Sequence, residues 1–294
     1  MGLFRAAGII TALAVATPPL MVLQWLFLRL RSRHAVTFPH VYHRNVCRLI
    51  GARIETVGTP HTSGPCLMAS NHCSWLDITI MSAIAPVSFV AKKEVARWPI
   101  FGQLARLQRT VFVERERRSA TGRSAAEMKR RLEAGDVLVL FPEGTSSDGN
   151  RVLPFKSALM GAAELRIERG DDAECHLPVQ PVSIAYTGLH GLPMGRQFRP
   201  FFTWYGAMEM VPHIWHCLRR GPFDVVVQFH PPVTVDECGG RKPLAQYCET
   251  RVRAGLAAAL TGRPVETTGA GSHGISAAVR SVPAVAAGQE RADD

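Results

Sequence analysis

A chain of 294 residues is long enough to bury one substantial core and too short for two full catalytic domains, so a single site is expected. Lysine and arginine outnumber aspartate and glutamate 34 to 24, a formal charge of +10, which favours anionic partners such as phospholipid headgroups, nucleic acid or phosphorylated substrates. The seven cysteines are odd in number and never spaced as CxxC, so they suggest neither a disulfide framework nor a zinc site and fit a reducing, cytosol-facing compartment.

In chain order, the first element is an uncharged run from Ala6 to Leu28, long enough for the hydrocarbon core of a bilayer as one straight helix. Pro18-Pro19 argues against straightness and predicts two apolar pieces, Ala6 to Thr17 and Leu20 to Leu28, in a bent or hairpin-like insertion that competes with a span. Arg5, the apolar stretch and Ala14-Val15-Ala16 also imitate a signal peptide, and a buried soluble helix is the plainer alternative. Arg29, Arg31 and Arg33 close the run and predict a membrane anchor over residues 1–33, held at the cytoplasmic face of the inner membrane.

Residues 34–261 read as one α/β domain, a mixed, largely parallel sheet flanked by helices. Strands are expected at Cys66-Ala69, Val87-Ala91, Thr110-Val113, Val137-Phe141, Val179-Ala185, Phe201-Tyr205 and Asp224-Phe229. Helices are expected at Leu76-Ala83, Ala120-Glu133, Ser157-Ile167, Val211-Leu218 and Leu244-Leu260. Residues 262–294, rich in Gly, Ala, Ser and Thr without periodicity, are expected to be a disordered tail.

The chemistry concentrates in two places. Ala69 to Asp77 follows a short apolar strand and opens an apolar helix. His72 and Asp77 would stand about 140° apart on a regular helix, so His72 belongs in the turn and Asp77 in the first helical turn. There Asp77 could orient one ring nitrogen and stabilise the imidazolium while the other takes a hydroxyl proton, a general-base pair with no serine nucleophile. The competing reading is a surface histidine beside a capping aspartate. Phe141-Pro142-Glu143-Gly144-Thr145 closes the strand Val137-Leu140, at the strand end where ligands meet open α/β sheets. Glu143 offers an acceptor for substrate hydroxyls, Gly144 permits close backbone approach and Thr145 offers both donor and acceptor, unless the segment is only a turn. Between them, Thr110 to Arg115 is a strand ending in a guanidinium suited to phosphate, or in a solvated charge beside Glu116, Arg117 and Arg118. Leu177 to Val182 reads as a strand whose prolines favour an edge or a bend.

These four segments, in this order over roughly residues 50–235, resemble the glycerolipid acyltransferase family typified by 1-acylglycerol-3-phosphate acyltransferases. The resemblance makes His72 and Asp77 the catalytic NHxxxxD pair and matches Arg115, Glu143, Gly144 and Thr145 to substrate-binding blocks. It implies a fatty acyl thioester on coenzyme A or acyl carrier protein as co-substrate, a lysolipid acceptor at an anionic membrane surface, no metal or other cofactor and no nucleic acid. Two departures bear on the acceptor. Arg109 stands where the family's second block opens with glycine, and Ser146 stands where the third continues with arginine. Ser146 to Asn150 with Phe155-Lys156, and Phe229-His230-Pro231-Pro232, resemble the lyso-ornithine lipid acyltransferase branch, and Lys156 could replace the missing charge. By family frequency the leading acceptor is 1-acylglycerol-3-phosphate, giving phosphatidic acid, with lyso-ornithine lipid as the alternative.

Three other classes compete with this reading. Cys73 beside His72 invites a thiol nucleophile, although adjacent side chains point apart. A metal-dependent hydrolase wants converging His and Asp ligands, which the scattered histidines do not offer. A non-catalytic lipid- or nucleic-acid-binding protein accounts for charge and anchor but not for the order of the four blocks. The aromatic cluster Phe198, Phe201, Phe202, Trp204 and Tyr205 reads as core or as the lining of an acyl-chain groove.

Overall fold

Apolar runs too short for helices alternate with longer periodic stretches, and the computed structural model, which describes residues 2–113, 118–169 and 173–263, resolves them into strands and helices. Two helices come first, α1 (Gly2–Arg29) and α2 (His34–Ile50). Then follow β1 (Ala52–Val57), β2 (Cys66–Ser70), α3 (Leu76–Ile84), β3 (Ser88–Lys92), α4 (Phe101–Leu107), β4 (Val111–Val113), α5 (Arg118–Glu133) and β5 (Val137–Leu140). A 3₁₀ segment, Ser157–Glu164, leads to β6 (Arg166–Arg169), β7 (Ala173–His176), β8 (Val179–Leu189) and β9 (Leu192–Pro193). After a 3₁₀ turn at Arg199–Phe201 come α6 (Met210–Arg220), β10 (Phe223–Phe229), α7 (Val235–Cys238) and α8 (Arg241–Thr261).

The main sheet runs in the order β1-β10-β8-β2-β5-β3-β4, with β9 paired to β8. Strands β8, β2, β5, β3 and β4 are parallel, whereas β10 is antiparallel to β8 and β1 is parallel to β10. Both faces are covered, which is why β2 and β5 are buried throughout. Successive residues point to opposite faces. Met68, Val139, Val182, Ile184 and Tyr186 join a core with α2, α3 and α6. Leu67, Leu138, Val179 and Ala185 join a second core with α5 and α8.

Four local expectations are corrected. The two prolines do not divide the apolar run, because α1 continues from Gly2 to Arg29 with Pro18 and Pro19 inside it. Their missing donors cost local bonds, but tertiary ties hold the helix on either side: Arg5 donates to the Leu218 and Ile50 carbonyls, and the Gln24 amide to the Ala35 and Leu107 carbonyls, both at 2.9 Å. The strand expected at Phe201-Tyr205 is a 3₁₀ turn and loop, set by Arg199, whose buried side chain draws the segment inward. The helix expected over Ser157-Ile167 is a 3₁₀ segment that stops at Glu164, and Ile167 lies in β6. The proline-bearing strand β8 is central rather than an edge. Pro181 is tolerated there because it sits where β10 ends, its carbonyl accepting from the His230 amide at 3.0 Å. Periodicity also left α2, β1 and α4 unassigned.

Candidate active site

The site lies at the carboxyl ends of β2 and β5, where the parallel strands hand over to loops. Asn71, the first residue after β2, clasps the backbone of Ile184 on β8: its amide donates to the carbonyl at 2.9 Å and its oxygen accepts the amide N–H at 2.8 Å. This fixes the turn that carries His72. Asp77 sits in the first turn of α3, fully buried, and its Oδ2 lies 2.8 Å from His72 Nδ1. The same oxygen accepts the N–H groups of Cys73 at 2.8 Å and Ser74 at 2.9 Å. The other carboxylate oxygen, Oδ1, accepts the hydroxyl of Tyr186 at 2.8 Å. The pairing assigns the Nδ1 proton to the Asp77 side and leaves Nε2 with its lone pair. The His72 side chain keeps 20% of its surface open, so the ring is not sealed from a substrate.

The loop after β5 supports this histidine on three sides. Phe141 stacks on the imidazole, centroids 4.2 Å apart and planes 19° from parallel. Glu143 Oε1 accepts the His72 amide at 3.0 Å, and the His72 carbonyl accepts the Ser147 amide at 2.8 Å. Glu143 is buried, and burial pushes its carboxyl up to about 8 against the opposing pull of the His72 and Leu153 N–H groups. Its Oε2 has no hydrogen-bond partner among the described residues. Thus Glu143 braces the turn from below. Gly144 has φ 74°, in the left-handed region that favours glycine, and its amide closes the turn onto the Phe141 carbonyl at 3.1 Å. Thr145 is exposed beside it. Lys156 is also exposed, its backbone amide bonded to the Pro142 carbonyl at 3.0 Å, so its side chain starts from the same loop. Arg115 lies outside the described residues.

Cys73 is fully buried with its Sγ directed at Asp77 Oδ1, 3.7 Å away. Burial first, and the Asp77 charge second, push the thiol well above its ordinary value, so the environment opposes thiolate formation and the thiol-nucleophile reading.

Three supporting residues have no assigned role in the sequence reading. Asn71 stands inside the quoted motif. Tyr186 is signalled by the two-residue alternation that puts it on the face of Val182 and Ile184, a polar-tipped ring in an apolar strand. Arg199 has no local signal. Its buried guanidinium donates to Asn150 Oδ1 and to the carbonyls of Tyr186 at 3.3 Å and Met194 at 3.2 Å, and burial lowers its pKa. The aromatic segment around it backs the His72 turn: Ser74 Oγ donates to the Phe202 carbonyl at 2.5 Å and the Trp204 amide to the Cys73 carbonyl at 2.7 Å. Phe202 is core, whereas Phe198 is exposed.

The chain is similar to known proteins. The family described as Acyltransferase matches residues 52–185, a span that holds His72, Asp77 and the Phe141–Thr145 loop. A lyso-ornithine lipid O-acyltransferase of Brucella abortus is 50% identical over 90% of this chain and 98% of its own length. One from Rhizobium meliloti is 44% identical over 83% of each chain. A 1-acyl-sn-glycerol-3-phosphate acyltransferase of Neisseria gonorrhoeae is 39% identical over 71% of this chain and 75% of its own. The crystal structure of the 1-acyl-sn-glycerophosphate acyltransferase of Thermotoga maritima shares the fold, with a TM-score of 0.60 at 22% identity over 90% of this chain and 97% of that one.

Proposed function

We infer that this chain, which belongs to the glycerolipid acyltransferase family, transfers a fatty acyl group from a thioester to the free hydroxyl of lyso-ornithine lipid, with His72 as general base. The observation that carries the chemistry is the bond from His72 Nδ1 to a buried carboxylate beside an open ring edge. The acceptor hydroxyl gives its proton to Nε2 as its oxygen attacks the thioester carbonyl. The tetrahedral intermediate expels the thiolate, which takes the proton back from the imidazolium. The donor is an acyl thioester of acyl carrier protein or coenzyme A.

The headgroup assignment is supported by the two relatives that share 50% and 44% identity with this chain and carry that description, and by Ser146, which leaves the third block without a guanidinium. A zwitterionic ornithine headgroup asks for an acid near its amine. Glu143 is buried and drawn toward its neutral form, which leaves Asp148 as the better partner. Asp148 is half-exposed on the loop that Ser147 ties to His72. The second reading, 1-acylglycerol-3-phosphate, is favoured by exposed Lys156 next to the Pro142 carbonyl and by the Neisseria relative.

The ties at Arg5 and Gln24 hold α1 to the domain on both sides of its centre, which supports a helix lying along the inner membrane rather than through it. Its outward side chains, among them Phe4, Val15, Val22 and Trp25, would enter the cytoplasmic leaflet, with Arg29 and the following Arg31 at the anionic headgroups.

The deciding experiment offers both lysolipids to wild type, Asp148→Asn and Ser146→Arg and reads products by mass spectrometry. Wild type should prefer lyso-ornithine lipid. Asp148→Asn should weaken its use by about tenfold, the loss of one charge-assisted hydrogen bond, and Ser146→Arg should move preference toward the phosphate acceptor. A wild-type preference for 1-acylglycerol-3-phosphate, with Asp148→Asn silent, would overturn the ornithine assignment in favour of the second reading.

A further inference from the structure

The catalytic carboxylate has two oxygens, and only one of them faces the histidine. Oδ2 serves His72 Nδ1 and the Cys73 and Ser74 amides, while Oδ1 points the other way into the protein interior. The strong donor that meets it comes from a distant strand. The Tyr186 hydroxyl lies 2.8 Å from Oδ1, and among the described residues it is joined there by the weak thiol of Cys73 at 3.7 Å.

Tyr186 is held for this contact from several directions. β8 outruns its neighbour: the last pair with β2 is Ser70 to Val182, so Tyr186, two alternations further along the same face, reaches over the end of β2 to α3. Its ring stacks on Phe223, centroids 6.0 Å apart, which packs on Phe202 at 4.7 Å. Its carbonyl accepts the Arg199 Nε at 3.3 Å. Burial, and then the Asp77 charge, push the phenol well above its ordinary value, so it stays a donor at every working pH.

We propose that Tyr186 is a positioning residue of the acyl-transfer centre, whose hydroxyl fixes the Asp77 carboxylate from behind and, by sharing its charge, sets how strongly Asp77 holds the His72 imidazolium. The proposal rests on the reading of His72 and Asp77 as the general-base pair. Two consequences follow from charge-assisted hydrogen bonding. Without the hydroxyl the carboxylate is freer to rotate from the His72 edge, which slows proton transfer without touching substrate binding. The same carboxylate carries more charge toward the imidazolium, so the base becomes harder to deprotonate.

The test uses the full-length protein in membranes, with kcat, KM and the pH dependence of kcat measured for five variants, two of them Asp77→Asn and His72→Ala. Tyr186→Phe keeps the ring and should lower kcat by about ten- to a hundredfold with KM for both substrates within about twofold. Its acid limb should move to higher pH by roughly half a unit to one unit. Replacement of Tyr186 by 3-fluorotyrosine, a stronger donor of nearly the same size, should move the limb to lower pH. Tyr186→Phe added to Asp77→Asn should cause no further loss, because the hydroxyl acts through Asp77. Glu143, Cys73, Asp148 and Arg199 are the other ionisable groups about the pair, and all four remain in place in every variant.

Full activity in His72→Ala would overturn the general-base reading and this proposal with it. An inactive His72→Ala beside a Tyr186→Phe enzyme with wild-type kcat and an unmoved acid limb would overturn the role of Tyr186 alone. So would a fall in kcat with no movement of the limb, the mark of a hydroxyl that only supports the local structure. Should Tyr186→Phe fail to fold, the fluorotyrosine enzyme decides, and an unmoved limb there overturns the proposal.

Discussion

Two histidines hang from opposite sides of one strand. On one face of β8, Ile184 and Tyr186 hold the His72 centre through Asn71 and Asp77. On the other, Ser183 accepts from His230 Nε2 at 2.8 Å and donates to the Val252 carbonyl of α8 at 3.0 Å. Both imidazoles are hydrogen-bonded and both stand beside the same central strand, yet their surroundings differ in two respects that decide what each can do. His72 has a carboxylate behind it and an open edge in front. His230 has a hydroxyl for its bonding partner, is buried, and burial together with the Arg251 charge lowers it to about 4. A neutral histidine without an anionic partner is poorly fitted to hold a transferred proton, so the first arrangement suits the proton transfer proposed for it and the second suits packing.

The largest effect separating the two is therefore catalytic. His72→Ala should lower turnover by about 10²–10⁴-fold, the range for a lost general base, while His230→Gln keeps wild-type kcat and lowers thermal stability. Equal losses of activity in the two variants at a temperature where both are folded would erase the distinction. A smaller effect runs the other way. Gly255 of α8 lies over the second cluster, where an added Cβ would come within 2.4 Å of Ser183 Oγ, 2.5 Å of Gln228 Oε1 and 2.9 Å of His230 Nε2. The Ser183 hydroxyl sits on a short side chain already bonded to the Val252 carbonyl and His230, so Gly255→Ala should overpack the site and cost about 1–3 kcal/mol. A matching fall in Tm with unchanged kcat would place this cluster outside the chemistry, and an unchanged Tm would show that α8 yields.

The first site was legible in the sequence because its signals are local. His72 and Asp77 are close in the chain, and an apolar strand before them and an apolar helix after them dictate a turn that brings them together. Phe141 to Thr145 was marked by its own local signal, a turn closing an apolar strand, and the pairing of β5 with β2 then brings it beside His72. What was not legible depends on long-range contact. Tyr186 meets Asp77 across 109 residues, and Arg199 meets Asn150 across 49. The course of α1 failed for the same reason: a Pro-Pro step read locally breaks a helix, but ties from Arg5 and Gln24 to distant carbonyls keep it whole. Conversely, the apolar aromatic run near Phe201 invites a strand, and a buried arginine beside it turns the chain instead.

The last contrast concerns pH, and it sets a buried acid of the first site against the buried base of the second. Glu143 is held at about 8 in the folded protein against an ordinary 4.5. Between those values the folded state keeps a proton that the unfolded chain releases, so this group's contribution to stability declines as pH rises through that window and levels off above it. His230 has the opposite displacement, about 4 against 6.5. There the unfolded chain holds the proton and the folded state does not, so the contribution is full above pH 6.5 and is lost as pH falls toward 4. Thermal melts across pH 4.5–9 should resolve the two. Glu143→Gln removes the ionisable acid, so its Tm relative to wild type should climb from pH 5 to pH 8 and then run parallel. His230→Gln should gain on wild type only as the solution is acidified below pH 6.5. If both curves run parallel to wild type throughout, neither group is displaced as its burial requires. If only the His230→Gln curve departs, the carboxyl of Glu143 is ionised beneath the His72 turn, and its brace on the His72 amide is a charged one.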